Sequence, residues 1–348
     1  ERNGRPAVVP VRLGIDSYYK AYRAARPSET SSEDAAVVWD PARFQSERMR
    51  QIFDEARRFA QLNVPVLLLG ERGTGKTTLA GWIRSHSPYR VEERDAHWPA
   101  VACGQYNPET MRAELFGYKR GSFTGALKDH EGLLAVAHKD TLFLDEVGDI
   151  GRDLQRLLIK AVEEKSYMRL GDDRQLTSDF RLISATNLTH DKLRERLDPD
   201  FLDRISMLTL RLPPLREIPE EIPWRWETVF SQASHRAGSG RVRLPAGAHR
   251  AIVDELSRHP LPGNLRDLFR VAYRTIAATA DRHSPLSPTA SSQYGLAGIG
   301  GSGAGIGTDS LPRSVARAFA ESASLDALIQ PGETIKTKVI ERVLKRYL

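Results

Sequence analysis

The order of segments predicts an α/β fold, a parallel sheet between helices, followed by a small all-helical domain. Three observations carry this expectation. The stretch 64–69, with its apolar run Val66-Leu67-Leu68-Leu69, reads as the first buried strand and empties into a glycine-rich turn ahead of a helix-compatible segment, 78–85. Two further apolar runs, 141–146 and 180–187, end in polar residues and alternate with helical patterns, as strand–helix units do. After Leu215 the β character fades, and 222–236, 246–258 and 264–280 all suit helices.

Each element has its own local reason. Residues 1–39 read as the remnant of an upstream regulatory domain with its connector, where 7–13 suits a short strand and 18–25 a helix. Ser28-Glu29-Thr30-Ser31-Ser32-Glu33-Asp34 is polar enough for a linker. The α/β unit is expected over 40–216. Within 46–62, Met49, Ile52, Phe53, Ala56, Phe59 and Ala60 recur at three- and four-residue intervals, so this is an amphipathic helix. Residues 98–103 read as a second short strand, 109–116 as a helix stopped by Gly117, and 153–164 as a helix with Leu154, Leu157, Leu158 and Val162 on one side. The helical lid is expected over 217–283, its last helix starting after Pro262-Gly263. Residues 284–312, rich in Ser, Gly, Pro and Ala, read as a flexible linker. In 313–348, Ile335, Val339, Ile340, Val343, Leu344 and Leu348 mark one helix face, consistent with the start of a truncated helix-turn-helix domain.

Composition narrows the function classes. The length of 348 residues suggests about two or three domains. No run approaches about 18 consecutive apolar residues, so no membrane span is expected. The single cysteine, Cys103, excludes an internal disulfide framework and suits a reducing cytoplasm. The net charge of +6 permits contact with nucleic acid, yet arginines are interleaved with acids, as in Glu93-Arg94-Asp95, which describes a solvated mixed surface.

The turn after the first strand carries the chemistry. Gly70, Glu71, Arg72, Gly73, Thr74, Gly75, Lys76, Thr77 and Thr78 fit and extend the G-x-x-x-x-G-K-S/T phosphate loop. Its glycines let backbone N–H groups converge on phosphate oxygens, and the next helix presents its positive end to them. Lys76 would neutralise the outer phosphates, and the Thr77 hydroxyl would hold a magnesium ion. A second signal is Thr141-Leu142-Phe143-Leu144-Asp145-Glu146, an apolar strand ending in two carboxylates at the edge where open α/β sheets bind ligands. Asp145 would help hold the metal, and Glu146 would polarise the water that attacks the γ-phosphate. Thr186 and Asn187, ending another strand, are candidates to sense that phosphate; a strand simply capped by a turn is the alternative. The expected cofactors are ATP and Mg2+. The order of phosphate loop, acidic strand, polar strand and helical lid points to the AAA+ class of P-loop NTPases.

One loop makes the reading specific. Glu114-Leu115-Phe116-Gly117-Tyr118-Lys119-Arg120-Gly121-Ser122-Phe123-Thr124-Gly125-Ala126 resembles the G-A-F-T-G-A loop of bacterial enhancer-binding proteins, the AAA+ activators of sigma-54 RNA polymerase. Gly121, Ser122, Phe123, Thr124, Gly125 and Ala126 would form a mobile tip presenting an aromatic ring and a hydroxyl to a partner. The resemblance runs from about residue 40 to 280, including the Leu212-Pro213-Pro214-Leu215-Arg216-Glu217 and Pro262-Gly263-Asn264-Leu265-Arg266-Asp267 segments. It implies that Arg266 contacts nucleotide from the lid and that Arg204 is a finger entering a neighbouring subunit's site, hence a ring, by analogy a hexamer. The implied partners are sigma-54 and the RNA polymerase holoenzyme, with DNA reached only through a domain after residue 348.

Three positions depart from the pattern. The family's other finger, six positions before Arg204, is Asp198 here, with Arg196 and Arg194 nearby. Ala102 stands where an asparagine often holds the catalytic glutamate inactive, and Leu261 where tryptophan is usual. Two other readings therefore stay open at this point: a remodelling ATPase of the same type acting on a different protein client, and a nucleotide-dependent switch with little hydrolysis.

Overall fold

The computed structural model describes residues 41–237, 244 and 246–280, and the expectations for residues 1–39, 284–312 and 313–348 lie outside them. Strands β1 (Val66–Leu69), β2 (Ala100–Ala102), β5 (Thr141–Asp145), β8 (Arg181–Thr186) and β9 (Leu208–Arg211) form a parallel sheet in the order β2-β5-β8-β1-β9. The register pairs Leu69 with both Thr186 and Arg211, and Ala102 with Asp145. The four chain segments bearing Gly70, Cys103, Glu146 and Asn187 therefore leave the sheet along one carboxyl edge. The strand β9 was not anticipated: of its four residues only Leu210 is buried, so no local pattern announces it. It extends the sheet by lying against β1.

Both faces of the sheet are covered, and the two-residue strand period decides which side chain goes where. Val66, Leu68, Phe143, Ile183 and Ala185 point into one core, packed by α1 (Glu47–Ala60), α2 (Lys76–Ser85) and the lid residues Trp226 and Leu268. Leu67, Leu142, Leu144 and Leu182 point into the other, packed by α3 (Pro108–Phe116), α4 (Leu133–Val136), α5 (Arg152–Glu163), α6 (His190–Arg196) and α7 (Pro199–Ile205). The lid is formed by α8 (Ile222–Arg236), α9 (Ala246–Arg258) and α10 (Leu265–Ala280). Sequence and structure agree on α1 and on the lid helices to within a few residues, because these are the segments with strong helical period.

Buried charges tie distant segments together. Helix α1 is held at both ends. The Glu221 Oε1 accepts from the Gln45 and Ser46 N–H groups, 2.7 Å each, at its amino end. The Arg181 guanidinium donates to the Phe59 and Ala60 carbonyls at 2.7 and 3.0 Å at its carboxyl end. Each charge opposes the helix dipole it meets. Arg84, in the last turn of α2, forks onto Asp140 at 2.7 and 2.8 Å, and Asp140 directly precedes β5. A third Arg84 nitrogen reaches Asp95 at 2.8 Å. Asp95 is also bonded by Arg90, and these two guanidinium groups hold its carboxyl down to about 2, from the usual 3.8. A carboxyl depressed in the folded state contributes stability above its ordinary pKa that is lost as pH falls through its folded value. Stability should therefore drop between about pH 4 and pH 2, and Asp95→Asn should flatten that part of the profile in urea titrations across the same range.

Two small hairpins complete the α/β unit, and neither was expected. β3 (Gly117–Tyr118) pairs antiparallel with β4 (His130–Glu131), and β6 (Ser166–Met168) pairs with β7 (Gln175–Thr177). They are strapped together by Lys119 N–H to the Leu170 carbonyl, 2.9 Å, and by Leu170 N–H to the Gly117 carbonyl, 3.0 Å.

Candidate nucleotide site and partner loop

The phosphate loop turns tightly because three of its residues tolerate what others do not. Gly73 and Gly75 take φ of 75° and 97°, the left-handed region that disfavours a Cβ. A Cβ on Gly70 would sit 3.0 Å from the Leu212 carbonyl oxygen, because β9 delivers Leu212 alongside it. Helix α2 begins at Lys76 itself, two residues before the expected start. The Lys76 Nζ donates to the carbonyls of Gly70 and Glu71 at 2.8 and 3.0 Å. Burial lowers the Lys76 pKa, and the Asp145 carboxylate opposes that shift. An anion in the loop would restore what burial takes away.

The neighbouring strand supplies the carboxylates. The Thr77 hydroxyl lies 3.3 Å from Asp145 Oδ2, so the start of α2 and the end of β5 touch. Glu146 is left-handed, with φ 54°, a conformation unusual for a glutamate, and its N–H donates to Asp145 Oδ1 at 2.9 Å. This turn takes its side chain out of the strand's alternation. The Glu146 carboxylate comes to Gly104, where an added Cβ would sit 2.8 Å from both Glu146 Oε2 and Asp149 Oδ2. Gly104 thus leaves room for two acids. Sequence reasoning missed it, and a glycine just past the Cys103 strand was its only signal. Cys103 itself is buried, and burial together with Asp145 and Asp149 pushes its thiol far up, so it is an inert packing group.

The other predicted residues divide. Asn187 follows β8 at the same sheet edge, beside Thr186, whose carbonyl accepts the Gly70 N–H at 3.3 Å. Arg266 crosses the phosphate loop: its Cγ lies 3.4 Å from where a Gly73 Cβ would be, and its charge acts on Lys76. Glu71 faces Arg216, 2.7 Å away, which lowers its pKa. Arg204 stands apart. It sits on α7 bonded to Glu163 of α5, both part-exposed, and its other acidic neighbours are Asp200 and Asp203. Asp198, in place of an arginine, caps α7 by accepting from the Asp200 N–H at 3.0 Å. Arg196 pairs with Asp149 at 3.0 Å.

The loop of residues 121–126 is the tip of the β3–β4 hairpin. Gly121 N–H donates to the Ala126 carbonyl and Ala126 N–H to the Phe123 carbonyl, 2.9 and 3.0 Å, closing the tip on itself. Phe123 and Thr124 do not share one environment. Thr124 and Gly125 are exposed, whereas Phe123 is half-buried with its ring edge-on to Tyr118, centroids 4.9 Å apart. The expectation of a displayed aromatic ring is thereby narrowed: in this state Tyr118 shelters it, and the exposed apolar side chain is Leu127, at 79%. Ser122 abuts Gly171 of the second hairpin, and its hydroxyl is buried without a hydrogen bond.

Comparison with known proteins agrees with this geometry. The family model described as the sigma-54 interaction domain matches residues 42–211. The response regulator protein PilR of Pseudomonas aeruginosa is 34% identical over 239 residues, 68% of this chain and 52% of its own length. The sigma-54-dependent transcriptional activator SfnR of Pseudomonas putida is 32% identical over 240 residues, 68% of this chain and 63% of its own. The chain thus spans about half to three-fifths of these two relatives. Among solved structures, NtrX from Brucella abortus in complex with ADP superposes with a TM-score of 0.59 at 26% identity, over 76% of this chain and 56% of that one. Its complex with ATP gives 0.58 at 25%, over 78% and 55%. The parallel sheet, the phosphate loop and the helical lid are those of an AAA+ P-loop NTPase, and residues 42–211 of that fold match the sigma-54 interaction domain family.

Proposed function

We propose that this chain is a cytoplasmic ATP-hydrolysing motor that activates transcription by remodelling the sigma-54 RNA polymerase holoenzyme. The observation that carries the reading is the meeting of Lys76, Thr77, Asp145 and Glu146 at one sheet edge, with Thr77 Oγ1 and Asp145 Oδ2 3.3 Å apart. Lys76 and the loop's N–H groups bind the triphosphate, and Glu146 orients and deprotonates the attacking water. A hydroxyl and a carboxylate at this spacing are the hard oxygen donors that Mg2+ takes. Thr77 and Asp145 would hold the ion, which supplies charge neutralisation on the phosphates. The ATP and ADP complexes of the NtrX relative support nucleotide as the ligand.

Within the single chain Arg204 is engaged by its own Glu163. We infer that a ring, hexameric by family analogy, brings Arg204 of one subunit to the nucleotide of the next once Glu163 releases it. Asn187 and Arg266 report the γ-phosphate, and the hairpin tip carries the message to sigma-54. Thr124 is the group at that tip already facing solvent.

The test separates motor from contact. Thr124→Ala should keep ATP turnover within about twofold of wild type, because the residue is exposed at a hairpin tip, a surface change of the kind that is usually near-neutral. It should abolish capture of sigma-54 in a complex trapped with a transition-state analogue of ATP. Capture at wild-type level by Thr124→Ala would remove the loop as the contact.

A further inference from the structure

The lid meets the phosphate loop at one turn. Leu261 and Asn264, just ahead of α10, are both non-glycine residues in the left-handed region, with φ of 44° and 53°. Both are fully buried. A leucine disfavours that region, so the packing around this buried one over-determines the turn. Asn264 tolerates the conformation better than most residues, yet its side chain is what distinguishes it from glycine.

Both ends of that amide are used, across large separations in sequence. Asn264 Nδ2 donates to the Arg72 carbonyl at 3.0 Å, and Oδ1 accepts from the Leu215 N–H at 2.8 Å. The partners fix the amide orientation, since a carbonyl requires a donor and an N–H an acceptor. Beside it, the Leu265 N–H donates to the Gly73 carbonyl at 3.1 Å, and a Cβ on Gly73 would collide with the Gly263 carbonyl oxygen. One side chain therefore joins the apex of the phosphate loop, the connector leaving β9 and the start of the lid's last helix. The latch uses the carbonyls of Arg72 and Gly73, leaving their N–H groups out of it. Arg266 is the second residue of the helix so fixed.

We propose that Asn264 is a positioning residue: it grips the phosphate loop, sets the angle of the lid, and thereby aims Arg266 at the outermost phosphate of a bound nucleoside triphosphate. This rests on the ATPase reading above. If Asn264 merely satisfied buried polar groups, losing it would loosen the protein and weaken all nucleotides alike. If it aims Arg266, losing it discriminates between a triphosphate and a diphosphate.

The experiment measures affinities of the full chain for fluorescent ATP and ADP analogues in wild type, Asn264→Gly, Arg266→Ala and the double variant. Glycine keeps the left-handed turn relaxed while deleting both side-chain bonds. Asn264→Gly is expected to weaken ATP about five- to tenfold, the scale of one lost hydrogen bond, and ADP less than about twofold. In the Arg266→Ala background it should add less than about twofold, because both changes remove one function. Equal losses for ATP and ADP, or additive losses in the double variant, would overturn the proposal. If Asn264→Gly fails to fold, Asn264→Ser, which adds no charge and is too short to bridge Arg72 and Leu215, is read by the same criteria. A wild-type chain that binds neither nucleotide removes the ATPase reading itself; wild-type binding with an unchanged ATP-to-ADP ratio in the variants removes the latch alone.

Discussion

Glu146→Gln should lower ATP turnover by at least about a hundredfold, the low end of what a positioned general base contributes, while leaving ATP affinity within about twofold. The physical reason lies in two separate neighbourhoods. The phosphate cradle is built from the loop glycines, Lys76 and Thr77; Lys76 donates to the Gly70 and Glu71 carbonyls and Thr77 to Asp145, rather than to the Glu146 carboxylate. The Glu146 carboxylate is turned instead by its left-handed backbone toward Gly104. Glutamine has the same shape and cannot accept the proton. Asp149 is the control, because its carboxylate shares the space over Gly104 and is engaged by Arg196. Asp149→Asn should cost less than about tenfold, as expected of a group one step removed from the proton transfer. Phosphate release and nucleotide binding measured on the same preparations decide the matter. Turnover above a tenth of wild type in Glu146→Gln would shift the base to Asp149.

The largest effect on stability is expected at Asp140→Ala. This carboxylate is fully buried, receives two bonds from Arg84, and also accepts the Thr141 N–H at 2.7 Å. Removing it strands a buried guanidinium with Asp95 and the Val91 carbonyl as its remaining partners. Breaking a buried pair from one side costs about 3–5 kcal/mol, which should appear as a matching fall in the free energy of denaturant unfolding. Replacing both members, Arg84→Leu with Asp140→Leu, should cost less than Asp140→Ala alone, since no unpaired charge remains. If the single change costs under about 1 kcal/mol, as an exposed pair would, then water reaches Arg84 and the pair is not structural. The pair also bears on the site. It ties the far end of α2 to the start of β5, so Thr77 and Asp145, at their other ends, inherit a fixed separation.

Much of this architecture was legible in the residues because it is local. The phosphate loop is a continuous stretch whose glycines, lysine and threonine announce themselves in order, and the strand ending at Asp145 is a run of apolar side chains. What escaped notice is set by partners elsewhere. β9 has a single buried side chain and is a strand because β1 lies beside it. The β3–β4 and β6–β7 hairpins have two- and three-residue strands, too short for any period to register. Gly104 matters only once Glu146 and Asp149 approach it. Asn264 sat inside a recognised segment, yet its bond to Arg72 spans 192 positions, and no spacing rule reaches that far. Arg204 was singled out by resemblance, and its pairing with Glu163 depends on how α7 packs against α5.

The clamping of α1 has a consequence for heredity. The stretch that matches the sigma-54 interaction family ends at 211, whereas the carboxylate that seats the amino end of α1 belongs to Glu221, and the Trp224 indole N–H that helps hold it, at 2.9 Å, lies farther on still. A piece cut at 211 would take from the Gln45 and Ser46 amides the carboxylate that accepts them at the amino end of α1. What can be shuffled intact from one protein to another is therefore the longer piece, helical half included, and the border of likeness falls short of the border of the thing that folds.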